Sequence, residues 1–177
     1  MIKKILTTYA ERLDEYLSRL HHQPEGLAEV GFIGNSAVMK PNKMLVSLIN
    51  VERETAGGIS APVQRTMEGY TRMTAPLLLN LNVMLAAVYD EKQYGESLSV
   101  LSDSLKFVQS IPKFEVDNVG YIIEIVTLST QDLNNIWTTL GGQYYPSVMC
   151  RIRRLLIDSD EIIAGGNLSR KPSVELT

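Results

Sequence analysis

Residues 77–88 read Leu-Leu-Leu-Asn-Leu-Asn-Val-Met-Leu-Ala-Ala-Val, apolar at odd and even positions alike except at Asn80 and Asn82. A strand wetted on one face alternates in polarity, so a run like this predicts a central strand covered from both sides. The run is also far short of the ~18 uninterrupted apolar residues of a membrane span. A doubly covered strand needs helices or a second layer on each face, and the flanking sequence supplies them.

Toward the N-terminus, Ile2, Ile5, Leu6, Tyr9, Leu13, Tyr16, Leu17 and Leu20 recur at steps of three and four. That spacing predicts an amphipathic helix over 2–20, with Glu15 and Arg19 paired on its wet side and Pro24 beyond its end. An extended segment follows over 28–34, then a strand over 44–52. Toward the C-terminus, Tyr94, Leu98, Leu101, Leu105 and Val108 predict a helix over 92–111 closed by Pro112. Residues 121–128 are rich in β-branched side chains and predict another strand. Thr130 is placed to cap a short helix with Leu133, Ile136, Trp137 and Leu140 on its buried side, stopped by Gly141-Gly142. A last strand runs over 148–157. The predicted order α-β-β-β-α-β-α-β gives an α/β (α+β) fold: one domain, a mixed sheet of about five strands with helices packed on it.

Two stretches fall outside that pattern. Residues 53–76 hold Gly57-Gly58, Pro62, Gly69 and Pro76 with no sustained period, and read as a long loop. Connections beyond ~12–15 residues are usually functional or disordered, so this one is a candidate arm onto a neighbouring subunit. Residues 161–177 read as a polar tail after a domain spanning 1–160. Both are expected to order on assembly rather than on the chain's own core.

Composition narrows the function. With 17 Lys plus Arg against 20 Asp plus Glu, the net charge of −3 lacks the basic excess of a nucleic-acid binder. The single cysteine excludes an internal disulfide, and two histidines exclude a three-histidine zinc centre. After Met1-Ile-Lys-Lys-Ile-Leu6, Thr7, Thr8, Glu11 and Arg12 interrupt too soon for a secretory signal. His21 and His22 sit at a helix end as solvated residues, and Cys150 alternates with Val148 and Ile152 as a core residue. The three glycine pairs match no phosphate loop, and the carboxylates have no metal-loop spacing. No cofactor is expected. Arg151, Arg153 and Arg154 fit an interface or plain surface equally well.

Three blocks carry more. They are Leu45-Val-Ser-Leu-Ile-Asn-Val-Glu-Arg-Glu54; Pro76 through Tyr89, with Tyr94-Gly-Glu-Ser-Leu98, Phe107-Val-Gln109 and Phe114; and Ile136-Trp-Thr-Thr-Leu-Gly-Gly-Gln-Tyr-Tyr-Pro-Ser-Val148, running into Arg151–Asp158. In order and spacing they resemble the cap, or tail-terminator, family of extracellular contractile injection systems, the phage-tail-like particles of antifeeding-prophage type. The resemblance covers residues 1–160, and Trp137-x-x-Leu140-Gly141 followed by Pro146-Ser-Val148 is its strongest piece.

It implies a non-enzymatic structural protein that closes the distal end of an inner tube and contractile sheath. It implies a homo-oligomeric, hexameric ring with sheath and tube proteins as partners, and cytoplasmic assembly with no nucleic acid and no membrane span. Under that reading Arg53, Met67, Tyr70, Met73, Arg151 and Arg153 are the expected subunit or sheath contacts. Trp137, Leu140, Gly141 and Pro146 form the structural motif. The competing reading is a ligand-binding or enzymatic domain with a pocket beside Trp137, Tyr144 and Tyr145.

Overall fold

Leu77–Val88 forms a strand from end to end, and it lies inside a six-stranded sheet. The computed structural model describes residues 1–24, 26–34, 40–54, 63–65, 69–73, 76–158 and 162–167. Its elements are α1 (Ile2–His21), β1 (Ala28–Val30), β2 (Lys43–Arg53), β3 (Val63–Arg65), β4 (Gly69–Met73) and β5 (Leu77–Val88). A 3₁₀ turn (Glu91–Gln93) leads into α2 (Tyr94–Ser110), β6 (Lys113–Val116), β7 (Val119–Ile125), α3 (Thr130–Thr139), β8 (Ser147–Ile157) and β9 (Ile162–Asn167). The chain divides into two units: Met1–Glu52 with Asn80–Leu155, and Arg53–Leu79 with Leu156–Thr177.

The larger sheet runs β1-β2-β5-β8-β7-β6. It is mixed, since β1 pairs parallel to β2 while β7 pairs antiparallel with β6 and with β8. On one face sit α1 and α2. Tyr9 meets Phe107 and Phe114 at centroid distances of 5.6 and 5.2 Å, and Phe114 meets Tyr121 at 5.6 Å, the tilted spacing that aromatic quadrupoles favour. On the other face Met84, Ala86 and Val88 of β5 join Leu45, Met149, Trp137, Tyr145 and Ile33 in a second cluster. Leu81, Val83, Leu85 and Ala87 alternate with that set and are buried as well. The doubly covered strand read from the sequence is thus the centre of two cores.

The sequence reading differs from this at definite places. The sheet has six strands rather than five; the addition is β6, joined to β7 by Asp117-Asn118, both at positive φ (52° and 63°). That is the geometry of a two-residue type I′ hairpin, and Asp and Asn adopt it more readily than other non-glycine residues. The N-cap of α3 is Ser129, not Thr130: its hydroxyl accepts the Asp132 N–H at 3.1 Å from an extended backbone.

On α2 the buried face is Ser97, Val100, Ser104, Phe107 and Val108, leaving Tyr94 and Leu98 at 55% and 41% exposure. Ser97 and Ser104 donate to the Tyr94 and Val100 carbonyls at 2.6 and 2.8 Å, so they enter the core satisfied and small. Met44–Ser47 of β2 are buried on both faces, whereas exposed positions predominate from Leu48 onward.

Residues 53–76 and 161–177, read as loop and polar tail, contain three strands. β4 pairs antiparallel with β3 (Tyr70↔Arg65) and with β9 (Tyr70↔Gly166), making a three-stranded sheet β3-β4-β9 in the smaller unit. The short, glycine-rich segments find their backbone partners in one another, which no local period reveals.

One carboxylate organises the exit from α1. Asp14 accepts the backbone N–H groups of Gly26 (3.0 and 2.9 Å to its two oxygens), Leu27 (2.5 Å) and Ala28 (2.8 Å). These are charge-assisted bonds holding β1 against the helix. Asp14→Ala should cost about 2 kcal/mol, because it orphans these donors. Urea unfolding would read this as a lower midpoint with an unchanged slope, and an unshifted midpoint would show that the clasp holds nothing.

Candidate assembly interface

The segment from Ile136 to Val148 builds one side of the molecule's second core. α3 ends in a paired-glycine cap: the Gly142 N–H donates to the Trp137 carbonyl at 2.7 Å and the Gly141 N–H to Thr138 at 3.2 Å. Gly141 and Gly142 have φ of 109° and 79°, a region that any Cβ penalises. The chain then doubles back, so Tyr144 and Tyr145 meet the Trp137 ring edge-on at 5.5 and 5.8 Å. Trp137 is 4% exposed. Buried Pro146 accepts the Ala87 N–H at 2.9 Å, tying this return to β5. Lys40 donates to the Tyr145 hydroxyl and to Gln143 Oε1, and lies 4.5 Å above the Tyr145 ring.

Trp137 is therefore packed inside the core. Two openings lie nearby: a cavity of about 200 Å³ whose lining includes Tyr145, Lys40 and Glu29, and a groove of about 390 Å³ lined by Phe32, Leu48, Ile49, Asn135, Ile136, Thr139 and Leu140. No residue lining the groove titrates, so the groove offers apolar contact and no acid or base. Phe32 is 82% exposed beside it. Exposed aromatics bordering an apolar cleft are the composition of contact surfaces.

Of the predicted contact residues, Arg53 belongs to β2, Tyr70 and Met73 to β4, and Arg151 and Arg153 to β8. Arg53 is exposed at the end of β2. Met67 and the side chains of Tyr70 and Met73 lie outside the described residues; the backbones of Tyr70 and Met73 pair in β4. Half-buried Arg151 donates from Nε to Asn82 Oδ1 and from Nη2 to Glu52 Oε2, each at 3.1 Å. Arg153 Nη1 lies 3.7 Å from Glu124 Oε1. Both arginines are thus engaged within the chain, linking strands across one sheet. The groove and the Tyr94–Leu98 stripe were missed in the sequence. The stripe carried a signal, two apolar residues four apart on a helix, but it read as core; the groove joins three distant segments and carries none.

Two further residues bear on chemistry. His21 is not solvated: at 13% side-chain exposure it lies 3.1 Å from Asp103 and 3.5 Å from Glu96, and Asp103 also holds Lys106 at 2.8 Å. It works as a brace between α1 and α2. Cys150 is fully buried, and that burial pushes its thiol up to about 12, so a thiolate nucleophile does not form near neutral pH. Among the described residues no group of three or more His, Cys, Asp or Glu is placed to hold a metal ion. No helix among them is long and apolar enough to cross a membrane.

Comparison with known proteins agrees with the fold. The anti-feeding prophage cap, described as its tube-terminating cap, superposes with a TM-score of 0.60 at 13% identity, over 96% of this chain and 59% of that one. The sheath/tube terminator of an extracellular contractile injection system (PVC), in its extended state, superposes with a TM-score of 0.55 at 12% identity, over 76% of this chain and 50% of that one. The chain thus spans between half and three-fifths of the length of these two structures. No curated protein matches it in sequence. Residues 4–171 match the family described as the Pvc16 N-terminal domain. Since that match takes in both the Trp137 return and the strands of the smaller unit, the chain belongs to the Pvc16 N-terminal domain family.

Proposed function

We propose that this chain is a structural cap that closes the distal end of the inner tube and contractile sheath of a phage-tail-like injection particle. The observation that carries the reading is the likeness in fold to two terminator caps, which in one case extends over 96% of the chain. The protein acts by shape rather than by chemistry: it offers apolar contact at the Phe32 groove and on the Tyr94–Leu98 stripe, where subunits of a tail end can bury it. It works as a homo-oligomeric ring of six copies, a heterologous contact that closes on itself, with sheath and tube proteins as its further partners. Assembly takes place in the cytoplasm. The ligand-binding or enzymatic alternative has less support: Trp137 is buried and lines neither nearby cavity, and the smaller of these, about 200 Å³ beside Tyr145, brings only Glu29 and Lys40 as ionisable side chains.

Deletion of the gene from a particle-producing cell tests the reading. Electron microscopy should then show tubes and sheaths of irregular length with open distal ends, restored to uniform length by the wild-type chain. Uniform, closed particles without the chain would overturn the proposal.

A further inference from the structure

Another cavity, of about 370 Å³, spans the last three strands of the larger sheet and is lined by Arg12, Lys113, Phe114, Glu115, Gly120, Tyr121, Ile122 and Arg154. Four elements contribute to it: α1, β6, β7 and β8. Three of the lining residues are cations and one is a carboxylate, on a chain whose net charge is −3. Among the described residues, Arg12, Lys113 and Arg154 form no ion pair. The contrast with Arg151 and Arg153, both engaged inside the chain, is sharp. Three cations around one carboxylate leave the cavity net positive among the described residues, and such a cluster is relieved when an anion enters it.

The backbone of Arg154 adds a second observation. Its φ is 77°, within a strand, between buried Ile152 and buried Leu155. That left-handed conformation strains a non-glycine residue, and glycine would avoid the strain. The arginine stands at a position that is strained for it, and it lines the cavity. Third, β6 is the terminal strand of its sheet, so one row of its backbone N–H and C=O groups has no strand partner. Lys113, Phe114 and Glu115, which line the cavity, belong to that terminal strand.

We propose that this cavity is a docking site for an acidic, extended segment of a partner protein. Two guanidinium groups and an ammonium receive its carboxylates, and the free edge of β6 receives its backbone. Paired planar guanidiniums favour carboxylates in bidentate geometry, and an edge strand adds what an isolated anion cannot use. Because the chain as a whole is acidic, its overall charge repels such a segment; binding must come from this local field. The inference holds whether or not the chain is a cap.

The test uses the full chain and a fluorescein-labelled peptide of six glutamates, followed by anisotropy at low ionic strength. Saturable binding that weakens as salt is added is expected. Arg12→Gln and Arg154→Gly should each weaken it about tenfold, as the loss of one charged partner does. Arg154→Gly also relieves the backbone, so its thermal midpoint should hold or rise, which separates lost binding from lost folding. Gly120→Leu keeps every charge but fills the cavity, and a Cβ at Gly120 meets nothing within 4 Å, so it should fold and bind poorly. Absence of saturable binding would overturn the proposal, as would equal affinity in all three variants. So would displacement of the peptide by inorganic phosphate at lower concentration than by unlabelled peptide, which would make the site one for phosphoryl groups.

Discussion

Trp137→Ala should lower the free energy of unfolding by about 3–5 kcal/mol, a large part of the total for a domain of this size. The ring is almost wholly buried, packs edge-on against Tyr144 and Tyr145, and belongs to the cluster that includes Met84, Val88 and Met149. Its removal leaves a void bounded by the central strand on one side and the returning chain on the other, neither free to collapse. Trp137→Phe should cost much less, about 1 kcal/mol, since it keeps an aromatic ring in place. The indole N–H has no hydrogen-bond partner among the described residues, so phenylalanine gives up no bond. As the chain has one tryptophan, unfolding must be followed by far-ultraviolet circular dichroism rather than by indole fluorescence. A stability-neutral alanine variant would mean that α3 does not close the second core as described.

Removal of the smaller unit should have the opposite signature: little loss of fold and a large loss of assembly. The variant replaces residues 56–74 with a short glycine-containing turn and ends after Asp158. The larger unit keeps both of its cores, because the residues that build them fall within Met1–Glu52 and Asn80–Leu155. Its far-ultraviolet spectrum and cooperative melting should survive. A three-stranded sheet of short strands has little interior of its own, and it gains most by burying a face against another surface. Ring formation in light scattering, and attachment to sheath ends under electron microscopy, should therefore be lost. Normal rings from the variant would show that the smaller unit is only a connection.

How far the sequence speaks depends on the distance over which each feature is built. Helix α1, strand β5 and the glycine stop after α3 are local, and period, length and turn chemistry predict them. The face of α2 is not: the serines read as polar, and only their bonds to the preceding turn let them lie inward while Tyr94 and Leu98 stay out. β6 was visible in principle through Asp117-Asn118, a hairpin turn between two valines. The strands of the smaller unit were not, because Gly165-Gly166 lies opposite Tyr70 and Thr71, far away in the chain.

The candidate sites follow the same rule. The Trp137–Val148 block is contiguous and its resemblance could be read. The Phe32 groove, the Arg151–Asn82–Glu52 linkage and the Arg12–Lys113–Arg154 cavity each gather residues from separate elements, so no motif announces them.

The pairing of β4 with β9 also sets an order of events during synthesis. β4 leaves the ribosome early, with β3 beside it, but its other edge waits for a strand roughly a hundred residues further on. Before that strand arrives, the whole of β5 through β8 has been made, and the larger unit can fold as it emerges. Long-range pairings of this kind close late, since chain entropy opposes them until other contacts have brought their ends near. A growing chain therefore carries β4 with one edge open until β8 and then β9 have been made. Until β9 pairs, the open edge of β4 is a template that another nascent chain can take, and the short step from Ile157 to Ile162 keeps that exposure brief.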